Sequence, residues 1–81
     1  VMSNQEKLYN VFSSLFGVPK DEVNDALSPD AVPKWDSLGT VNLVVELERE
    51  FNVRFDLMDV MGFLNVGIVK TALSEKGVSF D

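Results

Sequence analysis

All three prolines of the chain, Pro19, Pro29 and Pro33, fall between residues 18 and 36. Proline lacks a backbone donor and clashes with the preceding helical turn, so no regular helix or central strand can run through that stretch. The chain is thereby divided into a short leading segment, a long irregular connection and a proline-free remainder. At most a turn of helix around Asp21 to Leu27 is expected inside the connection. Loops beyond about 12–15 residues are uncommon in small domains and usually serve a function. With 81 residues there is room for one domain only.

Before the break, Leu8, Val11, Phe12, Leu15 and Phe16 recur at three- and four-residue steps, the signature of an amphipathic helix over Ser3–Phe16. Ser3 and Glu6 have capping-box spacing, and Gly17 followed by Pro19 supplies the stop. After the break, Ser37 to Phe51 fits two periods. Val41, Leu43, Val45 and Leu47 alternate as a strand would, while Leu38, Val41, Val44 or Val45, Leu47 and Phe51 make a helical face. Length and the run Glu46-Leu47-Glu48-Arg49-Glu50 favour a helix, with Asp36 as its N-cap. Phe51, Val53 and Phe55 alternate too, but a lone strand has no partner, so an extended linker with these residues inward is expected. Asp56 caps a short helix to about Met61, in which Met58 and Met61 are read as core fillers. Asn65 caps a last helix over Val66–Lys76, with Val66, Val69, Ala72 and Leu73 inward. The sum is an all-α fold: a small four-helix bundle of three main helices plus one short helix, with the long loop between helices 1 and 2. Residues 3–77 form the single domain, and 1–2 and 78–81 are expected to fray.

Composition narrows the chemistry. There is no cysteine and no histidine, which removes thiolate nucleophiles, Ser-His-Asp catalysis and the commonest metal ligands. The acidic residues of the proline-rich loop lack calcium-loop spacing, so no metal site is expected. Seven Lys and Arg against thirteen Asp and Glu leave a net charge of −6, which argues against nucleic acid and anionic membranes and for partners with basic patches. No apolar run is long enough to span a bilayer and no signal pattern opens the chain, so a cytoplasmic monomer that is not itself an enzyme is expected. Trp35, the only tryptophan, is expected to pack against the loop and core.

One place remains for chemistry, where the proline-rich loop meets a helix. The run Trp35-Asp36-Ser37-Leu38-Gly39-Thr40-Val41, followed by Leu43 and Leu47-Glu48, resembles the acyl carrier protein family. The likeness extends through the preceding loop, Glu48-Arg49-Glu50-Phe51, Val53-Arg54-Phe55 and the final amphipathic helix, covering the chain from Ser3 to Gly77. It implies that Ser37 receives a covalent 4′-phosphopantetheine arm from coenzyme A, with Asp36 and Leu38 supporting recognition by a phosphopantetheinyl transferase. It further implies a docking face on the helix opening at Ser37, with Glu46, Glu48, Glu50, Val41 and Val45 as contacts. Those contacts would meet basic patches on an acyl-loading ligase or synthase and on acyltransferases. A phosphodiester at this point would sit at a helix N-terminus, where free amides and the helix dipole favour an anion.

Carriers of bacterial fatty-acid synthesis commonly have an acid directly after Asp-Ser-Leu and another three residues later, where this chain has Gly39 and Asn42. Glycine in a first helical turn also costs up to about 1 kcal/mol relative to alanine. Gly39-Thr40-Val41 resembles D-alanyl carriers, and the whole run is similar to stand-alone carriers of polyketide, peptide-like or surface-polysaccharide synthesis. Fatty-acid, specialised acyl and aminoacyl cargo therefore all stay open. The competing class is an unmodified acidic helical adaptor binding a basic partner.

Overall fold

Four helices form where caps and periodicity place them, in a computed structural model that describes residues 2–80. They are α1 (Asn4–Phe16), α2 (Ser37–Phe51), α3 (Leu57–Met61) and α4 (Val66–Glu75), with a single 3-10 turn at Lys20–Glu22. There is no strand among the described residues. Ser3 and Glu6 close the predicted capping box, and α1 stops at Gly17, whose φ of 69° suits glycine. Asp36, Asp56 and Asn65 each cap the helix that follows by accepting a backbone N–H. The Phe51–Phe55 alternation is broken by Asn52, which ends α2 in the left-handed region.

The core joins one face of α1 (Leu8, Val11, Phe12, Phe16) to Leu43 and Leu47 of α2 and to Val66, Val69, Ala72 and Leu73 of α4. Four residues outside the helices complete it: Val23, Val32, Trp35 and Phe63. Trp35 stacks on Phe16 at 5.6 Å and tilts against Phe12 at 5.2 Å. Its indole N–H is buried without an acceptor, so its contribution is packing alone. Trp35→Ala is therefore expected to cost about 3–5 kcal/mol, much of the total stability of a chain this size. Trp35→Phe, which forfeits no hydrogen bond, should cost far less; urea unfolding followed by circular dichroism separates the two.

The helical face that periodicity suggested for α2 is divided by the core, and one expectation about inward residues is corrected. Leu38, Val41 and Val45 point outward, at 70%, 55% and 47% exposure, because the core takes the opposite side of α2, with Val44 and Phe51 half-buried beside Leu43 and Leu47. Met58 and Met61 are exposed rather than core fillers, since the five-residue α3 buries none of its side chains. Residues 78–80, expected to fray, lie against the bundle: Val78 and Phe80 pack on the core and Asn4 donates to the Ser79 carbonyl. Val1 and Asp81 fall outside the described residues.

The loop is tied to α4. Carbonyls of Asp25 and Leu27 accept from the amides of Gly67 and Val66, at 2.9 and 3.0 Å. The Asp25 carboxylate pairs with Lys70 at 2.8 Å and accepts from the Tyr9 hydroxyl. Lys70 also donates to Gln5 and lies over the rings of Tyr9 and Phe80. The hydrogen bond from Lys70 holds the Asp25 carboxyl below the usual aspartate range, against a smaller opposing effect of burial. Burial alone would lower Lys70, but its bond to Asp25 and the attraction of Tyr9 and Asp25 outweigh it and raise the ammonium above the usual lysine range. A depressed carboxyl stabilises the fold above its unfolded value of roughly 4, and that contribution is lost as pH falls through the lower folded value. The raised lysine contributes below roughly 10.4, and its share is lost as pH rises through the higher folded value. Asp25→Asn should lower Tm at pH 7 modestly, because the carboxylate is more than half exposed. The gap to wild type should close in thermal melts well below pH 4.

Candidate functional site

The site grows from the burial of Trp35. Anchored in the core and held by its amide to the Val32 carbonyl at 3.0 Å, it fixes the end of the loop one residue before the helix cap. Asp36 then adopts extended backbone, and its carboxylate takes the Gly39 N–H at 2.8 Å. Its carbonyl receives both the amide and the hydroxyl of Thr40, at 2.8 and 2.9 Å. Ser37 is the first residue of α2 and is exposed, with no hydrogen bond from its hydroxyl among the described residues. The amides of Ser37 and Leu38 precede the point where intrahelical bonding begins, which leaves donors near an anion on Ser37. The residues present thus fit a phosphodiester-linked arm: a reachable hydroxyl, free amides, and no need for an acid, base or metal on this chain.

Gly39 has a structural cause that sequence reasoning missed. A Cβ there would be driven into the Lys34 carbonyl oxygen, with Lys34 C at 3.1 Å and Phe16 Cε1 at 3.2 Å. The glycine that looked like a missing charge is what lets the loop close over the first turn of α2. A residue of poor helix propensity in a first turn, just after a tryptophan, was the available signal.

The expected docking residues divide. Glu46 and Glu50 face a groove of about 340 Å³ toward Asn10, Val11, Ser14 and Leu15 of α1. Val45 and Glu48 line a separate hollow of about 260 Å³ with Arg49, Asn52, Val53 and Arg54. Glu48 is engaged internally, its carboxylate accepting the Phe55 amide at 2.9 Å, and Glu46 pairs with Arg49 at 3.3 Å. Leu38, Val41 and Val45 lie along the outward side of α2. No group of three or more potential metal ligands is gathered among the described residues. No helix among them is long and apolar enough to cross a membrane.

Comparison with known proteins agrees with this geometry. Residues 6–73 match the family model described as a phosphopantetheine attachment site. The chain is 40% identical over 50 residues to an acyl carrier protein of Chlorobium phaeobacteroides, spanning 62% of this chain and 64% of that one. It is 33% identical over 69 residues to acyl carrier proteins of Chlorobium phaeovibrioides and Chlorobium luteolum, spanning 85% of each chain. Members of this family carry intermediates and do not catalyse their conversion, and 4′-phosphopantetheine is their covalent cofactor. An all-helical bundle with an exposed serine capped at the tip of its second helix, matched by a family model over most of its length, places the chain in the acyl carrier protein family.

Proposed function

We propose that this chain holds acyl or aminoacyl intermediates as thioesters on a phosphopantetheine arm at Ser37 and passes them between biosynthetic enzymes. The observation that carries this reading is the exposed Ser37, held at the first turn of α2 by the buried Trp35 and the Asp36 cap. The Ser37 hydroxyl would supply the oxygen of the phosphodiester, its proton leaving to the transferase as the nucleotide half of coenzyme A departs. When bound, the arm supplies the thiol that this cysteine-free chain lacks.

Asp36 and Leu38 are the contacts proposed for the transferase. The outward strip of Leu38, Val41 and Val45 offers apolar contact to loading and acyl-transferring enzymes. Glu46 and Glu50 offer charge to basic patches on them; Glu48, committed to Phe55, serves the fold first. Fatty-acid, polyketide and surface-polysaccharide pathways are all served by such carriers. Asn42, exposed and uncharged on α2, favours a specialised pathway in the cytoplasm over housekeeping fatty-acid synthesis.

Intact mass before and after incubation with coenzyme A and a promiscuous phosphopantetheinyl transferase tests the reading. A gain of one arm is expected. No gain, from folded protein shown to be unmodified at the start, would make the acidic helical adaptor the better reading.

A further inference from the structure

Both sequence neighbours of Ser37 line one hollow of about 220 Å³, between the end of α1 and the start of α2. Leu15, Phe16 and Leu38 form its apolar wall, and Lys34 and Asn42 bring polar groups to it. We propose that this hollow is the resting berth of the phosphopantetheine arm, with Lys34 meeting the phosphate, the apolar wall meeting the gem-dimethyl carbon, and Asn42 meeting an amide. The inference rests on the reading that Ser37 carries the arm, and adds where the arm lies when no partner holds it.

Several observations converge on that occupant. Lys20, Arg49, Lys70 and Lys76 are committed to ion pairs, whereas Lys34, the one cation lining the hollow, makes none among the described residues; Lys7 and Arg54, also without ion pairs, lie outside it. The Asn42 side chain likewise has no hydrogen bond there, so both are free to receive a ligand. Asp36 is the one carboxylate in the lining, and it already accepts the Gly39 amide at 2.8 Å. The larger groove between α1 and α2 suits the arm less well, because its α2 side is Glu46 and Glu50, nine and thirteen residues beyond Ser37, out of reach of a phosphate bonded to the Ser37 oxygen. Apolar contact on one side and a few placed polar groups on the other are what a small-ligand site requires.

The test uses isotope-labelled protein modified from coenzyme A whose pantetheine methyl groups carry ¹³C, with a single added arm verified by mass. Nuclear Overhauser contacts from those methyls to Leu15, Phe16 and Leu38 are expected, together with a shift of the Asn42 side-chain amide. Lys34→Glu, an exposed substitution, should abolish the contacts while the arm is still attached; Asn42→Leu should remove the amide component and keep the methyl contacts. Shift changes confined to residues 36–38, or methyl contacts to Leu57, Met58 or Met61 instead, would overturn the berth and leave the carrier reading standing. Failure to gain the arm would count against the carrier reading itself.

Discussion

Ser37→Ala protein is expected to fold as well as wild type and to take up no arm at all. The serine is exposed, is the first residue of α2 rather than its cap, and its hydroxyl makes no hydrogen bond among the described residues. Removing that hydroxyl should change stability by no more than about 0.5 kcal/mol, as for other surface substitutions that touch no special feature. Asp36 keeps its bond to the Gly39 amide and the helix start is unaltered. Urea midpoints should coincide while intact mass after the transferase reaction differs by one whole arm. An alanine variant that still gains the arm would move the attachment point elsewhere on the chain, and one that unfolds would contradict an exposed, unbonded serine.

Gly39→Ala is expected to be destabilising, although helix propensity predicts a gain of about 1 kcal/mol at such a position. The added methyl has nowhere to go: the Lys34 carbonyl and the Phe16 ring already occupy its place, and both belong to parts of the chain fixed by Trp35 packing. Overpacking of this kind costs roughly 1–3 kcal/mol, occasionally more, against a total of about 4–12 kcal/mol for a chain of this length. With a urea dependence near 1 kcal/mol per molar, the midpoint should fall by about 1–3 M. A midpoint equal to or above wild type would mean that the loop can retreat from α2, and that Gly39 is not what holds them close. Unlike Ser37→Ala, this variant should still take up the arm, but more slowly than wild type, because the displaced loop carries the Asp36 cap with it.

Helix positions were legible because their ends are written in single residues. Ser3 with Glu6, Gly17, Asp36, Asp56 and Asn65 each satisfy an orphan backbone group, and each stands where the pattern placed it. The direction of α2 was harder to read. Its fifteen residues carry apolar side chains around most of the circumference, so periodicity alone cannot say whether Leu43 or Val45 faces the core. That choice is made by α1, which lies against Leu43 and Leu47 and leaves Leu38, Val41 and Val45 outside. Val32 and Trp35 lie in a stretch with no period at all, and only the packed structure brings them to Phe12 and Phe16. At the site, the serine and its cap could be read from the run Asp36-Ser37-Leu38. Lys34 and Asn42 could not, because their role comes from a hollow shared with α1.

The attachment of α4 to the loop bears on how the chain reaches this fold. A ten-residue helix is below the roughly 12–15 residues at which isolated helices become even marginal in water. Its opening amides find their acceptors at Asp25 and Leu27, far back in the sequence. That helix is therefore held in place by a closure between distant parts of the chain, whose loop entropy must be offset before its own bonds can stabilise it. The prolines between those two ends do more than interrupt helices. By limiting the conformations open to the unfolded loop, they lower the entropy that its closure must give up.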